Sequence, residues 1–129
     1  MSRHPLISII DDDEAVRAAT ESLVRSLGFG ASTFASAEEF LESTSVDETS
    51  CLITDVNMPG MNGIELQTYL LAQGHNLPII FITAFPEERI RRRVHEAGAI
   101  AFLSKPFDGC TMLECIDKAL GGSGSKARH

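Results

Sequence analysis

The chain has 129 residues, 43% of them hydrophobic and 22% charged, a balance that suits one soluble globular domain built on a single core. Its formal net charge of −7 argues against direct nucleic-acid binding, which depends on Lys and Arg neutralising phosphates, and favours a metal cation instead. No apolar run approaches the roughly 18 residues of a membrane span, and the N-terminus lacks a signal-peptide pattern, so the expectation is a cytoplasmic protein without membrane contact.

Leu6-Ile7-Ser8-Ile9-Ile10 is a β-branched run that predicts a buried strand, and it delivers Asp11-Asp12-Asp13-Glu14 to its carboxyl end. A helical stripe follows at Val16, Ala19, Leu23, Val24 and Leu27, stopped by Gly28. The acids ahead of this helix also favour its positive end, whatever else they do. A second strand is expected over Phe29 to Phe34. Ser36 and Glu39 then match a capping box opening a helix that turns Phe40 and Leu41 inward and fades by Ser45.

Val46 to Ser50 reads as a polar connection. It leads into Cys51-Leu52-Ile53-Thr54, a short buried strand that ends in Asp55 and is closed off by Pro59, Gly60 and Gly63. Ile64, Leu70 and Leu71 fit a third helix ending near Gly74. Pro78 to Ile82 is the next strand and ends at Thr83-Ala84. A fourth helix from about Glu87 turns Ile90, Val94 and Ala97 inward, while Arg89, Arg91, Arg92 and Arg93 crowd its outer faces as a partner surface or a solvated face. Ile100 to Ser104 is the fifth strand, ending at Lys105-Pro106, where a cis bond would direct the lysine inward. Asp108 can cap a last helix carrying Leu113, Ile116 and Leu120. Residues 1–121 thus form one domain, and 122–129 a flexible Gly/Ser tail with basic residues. Cys51, Cys110 and Cys115 have no C-x-x-C spacing and read as small buried apolar residues. His4, His75, His95 and His129 lack metal-ligand spacing.

Strands alternating with helices imply a doubly wound five-stranded parallel sheet with five helices. In such sheets the chemistry sits at the carboxyl edge of the strands. That edge collects Asp11 and Asp12, Asp55, Thr83 and Lys105. Clustered carboxylates raise one another's pKa unless a cation joins them, and a hard divalent ion such as Mg²⁺ suits oxygen ligands. Carboxylate, hydroxyl and ammonium around such an ion fit a phosphoryl group, with Asp55 as nucleophile and Lys105 and Thr83 steadying the phosphoryl oxygens.

These residues, together with Asp55-Val56-Asn57-Met58-Pro59-Gly60-Met61-Asn62-Gly63, Phe102 and Lys105-Pro106-Phe107, closely resemble a receiver domain of two-component response regulators over roughly residues 5 to 120. Each motif alone is weak, and the ordered set is highly specific. The resemblance implies a flavodoxin-like fold with strand order 2-1-3-4-5. It implies phosphorylation of Asp55 by a histidine kinase or histidine phosphotransfer protein. It also implies Mg²⁺ held by Asp12, Asp55 and the Asn57 carbonyl with Asp11 in support, and no enzyme activity beyond the domain's own phosphorylation and dephosphorylation. Thr83 and Phe102 would be switch residues, although Phe102 is equally readable as a core aromatic. The signalling surface would comprise the fourth helix, fifth strand and fifth helix. It would act on a downstream protein partner or an output domain missing from this chain, with phosphorylation-dependent dimerisation as a further possibility. Phe85-Pro86 departs from the small or polar residues common in the family after Thr83-Ala84, at a position that influences dephosphorylation there.

Other chemistries fit less well. A phosphatase with an aspartate nucleophile needs a second Asp two residues on, where this chain has Asn57. An EF-hand loop starting at Asp55 would need Glu at its twelfth position, which is Leu66. A nucleotide-binding turn after the first strand would be glycine-rich rather than Asp11-Asp12-Asp13. The alternative retained is a receiver-like module that binds protein partners without phosphorylation.

Overall fold

The computed structural model describes residues 5–121. Its elements run β1 Leu6–Ile10, α1 Glu14–Ser26, β2 Gly30–Phe34, α2 Ala37–Glu42, α3 Ser45–Glu48, β3 Cys51–Asp55, α4 Gly63–Ala72, β4 Ile79–Thr83, α5 Glu88–Glu96, β5 Ala101–Ser104 and α6 Gly109–Ala119. The five strands form one parallel sheet in the order β2-β1-β3-β4-β5, the flavodoxin-like arrangement expected.

The period-2 alternation of side chains divides the core into two layers. Ile10, Leu52, Ile79 and Phe81 face one side, where Phe40 of α2, Leu66 and Leu70 of α4 and Val94 of α5 cover them. Ile7, Ile9, Cys51, Ile53, Ile80 and Ile82 face the other, under Val24 of α1 and Met112 and Ile116 of α6. All five residues of β3 and all five of β4 are buried, as central strands covered on both faces must be.

The helices differ from expectation where a residue's position outweighs its hydropathy. In α1 the buried positions are Thr20 and Val24, and Ala19 is exposed. Thr20 can be buried because its hydroxyl donates to Val16 O at 2.8 Å, which satisfies the polar atom within the helix. Leu71 is 48% exposed, and Ala97 is also exposed. The inward face of α4 instead uses Gln67, whose amide donates to Val94 O at 3.1 Å and ties α4 to α5. In α6 Met112 and Ile116 are buried, while Leu113 and Leu120 are only half-buried. Cys51 is buried, Cys115 half-buried and Cys110 exposed, so the apolar reading fits only the first two. Burial, followed by the nearby Cys115, pushes the Cys51 thiol up to about 12, which keeps it inert at neutral pH.

Among the described residues there is one helix beyond the five predicted, the four-residue α3 within the polar connection. Thr49 Oγ1 bonds to Ser45 O and to Ser8 Oγ, which pins this turn to β1. One turn is too short to show a hydrophobic period. The capping box expected at Ser36 is half formed. Ser36 Oγ accepts from Glu39 N at 3.0 Å, but Glu39 Oε1 accepts from Ala35 N rather than Ser36 N. A complete box forms instead at Asn62 and Glu65, opening α4. The tail expected over 122–129 lies outside the described residues.

Candidate functional site

The three consecutive aspartates after β1 have three different jobs. Asp13 caps α1, its carboxylate accepting from Ala15 N at 2.9 Å and Val16 N at 3.2 Å. Asp12 is exposed at the mouth of the site. Asp11 is fully buried, and its two oxygens accept from Asp13 N and Lys105 Nζ, both at 2.9 Å. Arg17 Nη1 donates to the Asp11 carbonyl at 2.8 Å and so holds the chain where it leaves the strand. No local pattern in the sequence points to that contact.

Asp55 ends β3, next to β1 in the sheet, and is 6% exposed. Its Oδ1 accepts from Asn57 N at 3.2 Å and its Oδ2 from Lys105 Nζ at 3.1 Å. One carboxylate oxygen from each of Asp11, Asp12 and Asp55 lies within 4.8 Å of the others. This all-oxygen group fits a hard divalent cation such as Mg²⁺.

Burial is the largest influence on Asp55 and raises its pKa; Lys105 pulls it down, Asp11 pushes it up, and the balance stays above the ordinary carboxylate value. Burial also disfavours the charged form of Lys105. Hydrogen bonds and charge from Asp11 and Asp55 outweigh that effect, so its pKa is raised and it remains an ammonium. Among the described residues Lys105 is ion-paired with both buried carboxylates, Asp11 and Asp55, while the Asp12 carboxylate stands at the rim.

Thr83 ends β4 and is 1% exposed. Its oxygen accepts from Asn57 Nδ2 at 3.3 Å and Phe85 N at 3.1 Å, which uses its acceptor capacity and leaves the O–H free to donate. Asn57 thus touches both Asp55 and Thr83, through its backbone and its side chain respectively. Phe102 stands apart from this cluster. It pairs with Phe81 in the β4–β5 register and is half-buried against the layer that holds Ile90 and Val94 of α5. The Lys105–Pro106 peptide is cis, as expected, and Pro106 is exposed.

Gly63 serves the site in a way its turn chemistry does not reveal. A Cβ there would stand 2.6 Å from Asp55 O and 3.1 Å from Val56 Cα. Its N–H donates to Val56 O at 2.9 Å, which seats the start of α4 directly on the end of β3. Beside Lys105 an apolar groove of about 500 Å³ opens between α1 and the segment after β5, lined by Val16, Ala19, Thr20, Leu23, Pro106 and Phe107. Exposed Ala19 belongs to this groove.

The arrangement can bind a divalent cation and offer one carboxylate, one ammonium and one hydroxyl proton to an anionic group. Comparison with known proteins bears on which group that is. Residues 7–117 match the family model described as "Response regulator receiver domain". Nodulation protein W of Bradyrhizobium diazoefficiens is 38% identical over 115 residues, covering 89% of this chain and 51% of that protein. Response regulator protein TodT of Pseudomonas putida is 41% identical over 118 residues, covering 92% of this chain and 52% of that protein. The solved structure of response regulator StyR superimposes with a TM-score of 0.84 at 41% identity, covering 98% of this chain and 65% of that one. The chain spans about half the length of these two curated relatives.

Proposed function

The chain belongs to the response regulator receiver family, and from that premise we propose that it accepts a phosphoryl group on Asp55 from a histidine kinase or histidine phosphotransfer protein. Receivers of this family serve two-component signalling as domains of response regulators rather than as enzymes of the ordinary kind. The observation that carries the proposal is the Asp55 carboxylate, held at the end of a central strand within reach of Lys105 and beside Asp11 and Asp12.

A carboxylate oxygen of Asp55 forms the new P–O bond while the bond from phosphorus to the donor's histidine nitrogen breaks. Transfer of this kind needs positioning and charge neutralisation more than covalent chemistry. Lys105 supplies fixed positive charge to a phosphoryl oxygen, and the Thr83 hydroxyl supplies a proton donor once it turns inward. Asp12, Asp55 and the backbone carbonyl of Asn57 would hold Mg²⁺, with Asp11 in support. Bound there, the ion supplies positive charge that offsets the carboxylates and the incoming phosphoryl oxygens. The apolar groove beside Lys105 supports docking of the donor protein next to Asp55.

Phosphorylation adds about two negative charges at Asp55. Reorientation of Thr83 toward them frees space between β4 and α5 into which Phe102 turns. The surface made by α5, β5 and α6 then signals to a downstream protein or to an output domain beyond this chain, or pairs with a second copy. The arginines of α5 are exposed there, with Arg91 paired to Glu88 at 2.7 Å. Residues 1–121 act as the receiver unit and work in the cytoplasm; no helix among the described residues is long and apolar enough to cross a membrane.

The test is incubation with acetyl phosphate and Mg²⁺ followed by intact-mass measurement. Wild type gains the mass of one phosphoryl group and Asp55→Asn gains none. Equal labelling of the variant removes Asp55 as the acceptor. No labelling of wild type by acetyl phosphate or by any histidine kinase favours the phosphorylation-independent binding module.

A further inference from the structure

The loop from Asn57 to Asn62 carries the Asn57 carbonyl proposed above as a Mg²⁺ ligand, so its conformation matters to the site. Its two ends are anchored locally. Asn57 N bonds to Asp55 at one end, and the Asn62–Glu65 capping box closes the other. Met58 is buried, whereas Pro59 and Gly60 are exposed. Two polar ties come from outside this stretch: Asn57 Nδ2 donates to Thr83 Oγ1 at 3.3 Å, and Glu38, in the first turn of α2, accepts from Met61 N through its Oε2 at 3.0 Å.

Gly60 shows how closely that carboxylate approaches. Its φ of +74° lies in the left-handed region, and a Cβ there would stand 2.9 Å from Glu38 Oε2. The glycine therefore meets two demands, the turn itself and room for the Glu38 carboxylate over the peptide. Charge also matters. Glu38 has no cationic partner among the ion pairs of the described residues, so the contact with Met61 N is its charge-assisted bond in the structure.

We propose that Glu38 is a positioning residue for the phosphorylation site, clamping the β3–α4 loop through Met61 N and so restraining the segment whose Asn57 carbonyl would help to hold the cation. The inference rests on the proposed Mg²⁺ site. The clamp acts through one hydrogen bond to an acceptor oxygen, so Gln, which keeps an oxygen at the same reach, preserves it and Ala removes it.

The experiment compares wild type, Glu38→Ala and Glu38→Gln by amide hydrogen exchange at Met61 and by titration with Mg²⁺ alone, well below each protein's melting temperature. Glu38→Ala exchanges faster at Met61 and binds Mg²⁺ about fivefold more weakly, the equivalent of one net hydrogen bond. Glu38→Gln, which keeps the bond but not its charge, falls between wild type and Glu38→Ala in both. Unchanged exchange or unchanged Mg²⁺ affinity in Glu38→Ala overturns the proposal, as does a loss in Glu38→Gln equal to that in Glu38→Ala. Failure of wild type itself to bind Mg²⁺, with Met61 exchange still accelerated in Glu38→Ala, overturns the cation reading and leaves the clamp standing.

Discussion

Replacing Gly63 with Ala sets two effects of opposite sign against each other. Gly63 is the first residue of α4, and Ala is the better helix former by about 0.8–1.0 kcal/mol in a helix interior, less at the first turn. Its φ is not positive, so backbone conformation raises no objection. Packing does. The new methyl would lie 2.6 Å from Asp55 O, where carbon atoms essentially never come within 3.0 Å, and 3.1 Å from Phe81 Cε1 and Val56 Cα. Two of these three neighbours are backbone atoms of the strand end, so the contact cannot be relieved by a side-chain rotation. Overpacking of this kind costs about 1–3 kcal/mol. The clash wins, with a net loss of about 1–2 kcal/mol and a fall in Tm of roughly 4–8 °C. Because Asp55 itself is displaced, labelling by acetyl phosphate slows by about tenfold or more, as misplacement of a reacting group does. Differential scanning calorimetry and the time course of added mass check both parts. A Tm equal to or above wild type would falsify the packing argument and leave helix propensity as the governing effect.

Three further outcomes follow from the site. Mg²⁺ raises the Tm of wild type, by an amount equivalent to about 2.7 kcal/mol at a hundredfold excess over Kd, and does so much less in Asp12→Ala; equal shifts count against the acidic cluster as the cation site. Without Mg²⁺, Asp55→Asn melts above wild type at neutral pH. The raised folded-state pKa of Asp55 means that its ionisation opposes folding, a penalty that grows as pH rises from the unfolded value of 3.8 through the folded one. The gain from Asn therefore shrinks on acidification and vanishes below 3.8, and a gain that is independent of pH defeats this account. Thr83→Ala is still phosphorylated on Asp55 but loses most of the backbone amide shift changes across residues 84–107. NMR spectra in which those changes keep their wild-type size would rule out coupling through Thr83.

The strands and their polar ends were legible in the sequence because a buried parallel strand is a short apolar run that stops where the sheet edge meets solvent. Asp11, Asp55, Thr83 and Lys105 each sit at such a stop, and alternation with helices fixes that all four stops share one edge. Helix faces were less legible. The apolar pattern counts Ala19 and Leu71 among the residues that mark their helices and turns Ala97 inward, yet all three are exposed, and Thr20 and Gln67 take buried positions because their hydrogen bonds close within the fold. A polar residue so satisfied loses its cost of burial, and an apolar one at the helix margin loses little by exposure.

What the amino-acid order determined by itself was the parallel α/β architecture and the inventory of groups at its functional edge. Only the tertiary structure separated the places of Asp11-Asp12-Asp13, since burial and partners, not residue type, make one aspartate a lysine partner, one an exposed member of the acidic cluster and one a helix cap. It alone brought Arg17 onto the Asp11 carbonyl, Asn57 onto Thr83 and Glu38 onto Met61. These contacts depend on distances of a few ångströms between elements, set by how helices and strands pack. Local sequence patterns specify which elements form, and the packing of whole faces decides which side chains then meet.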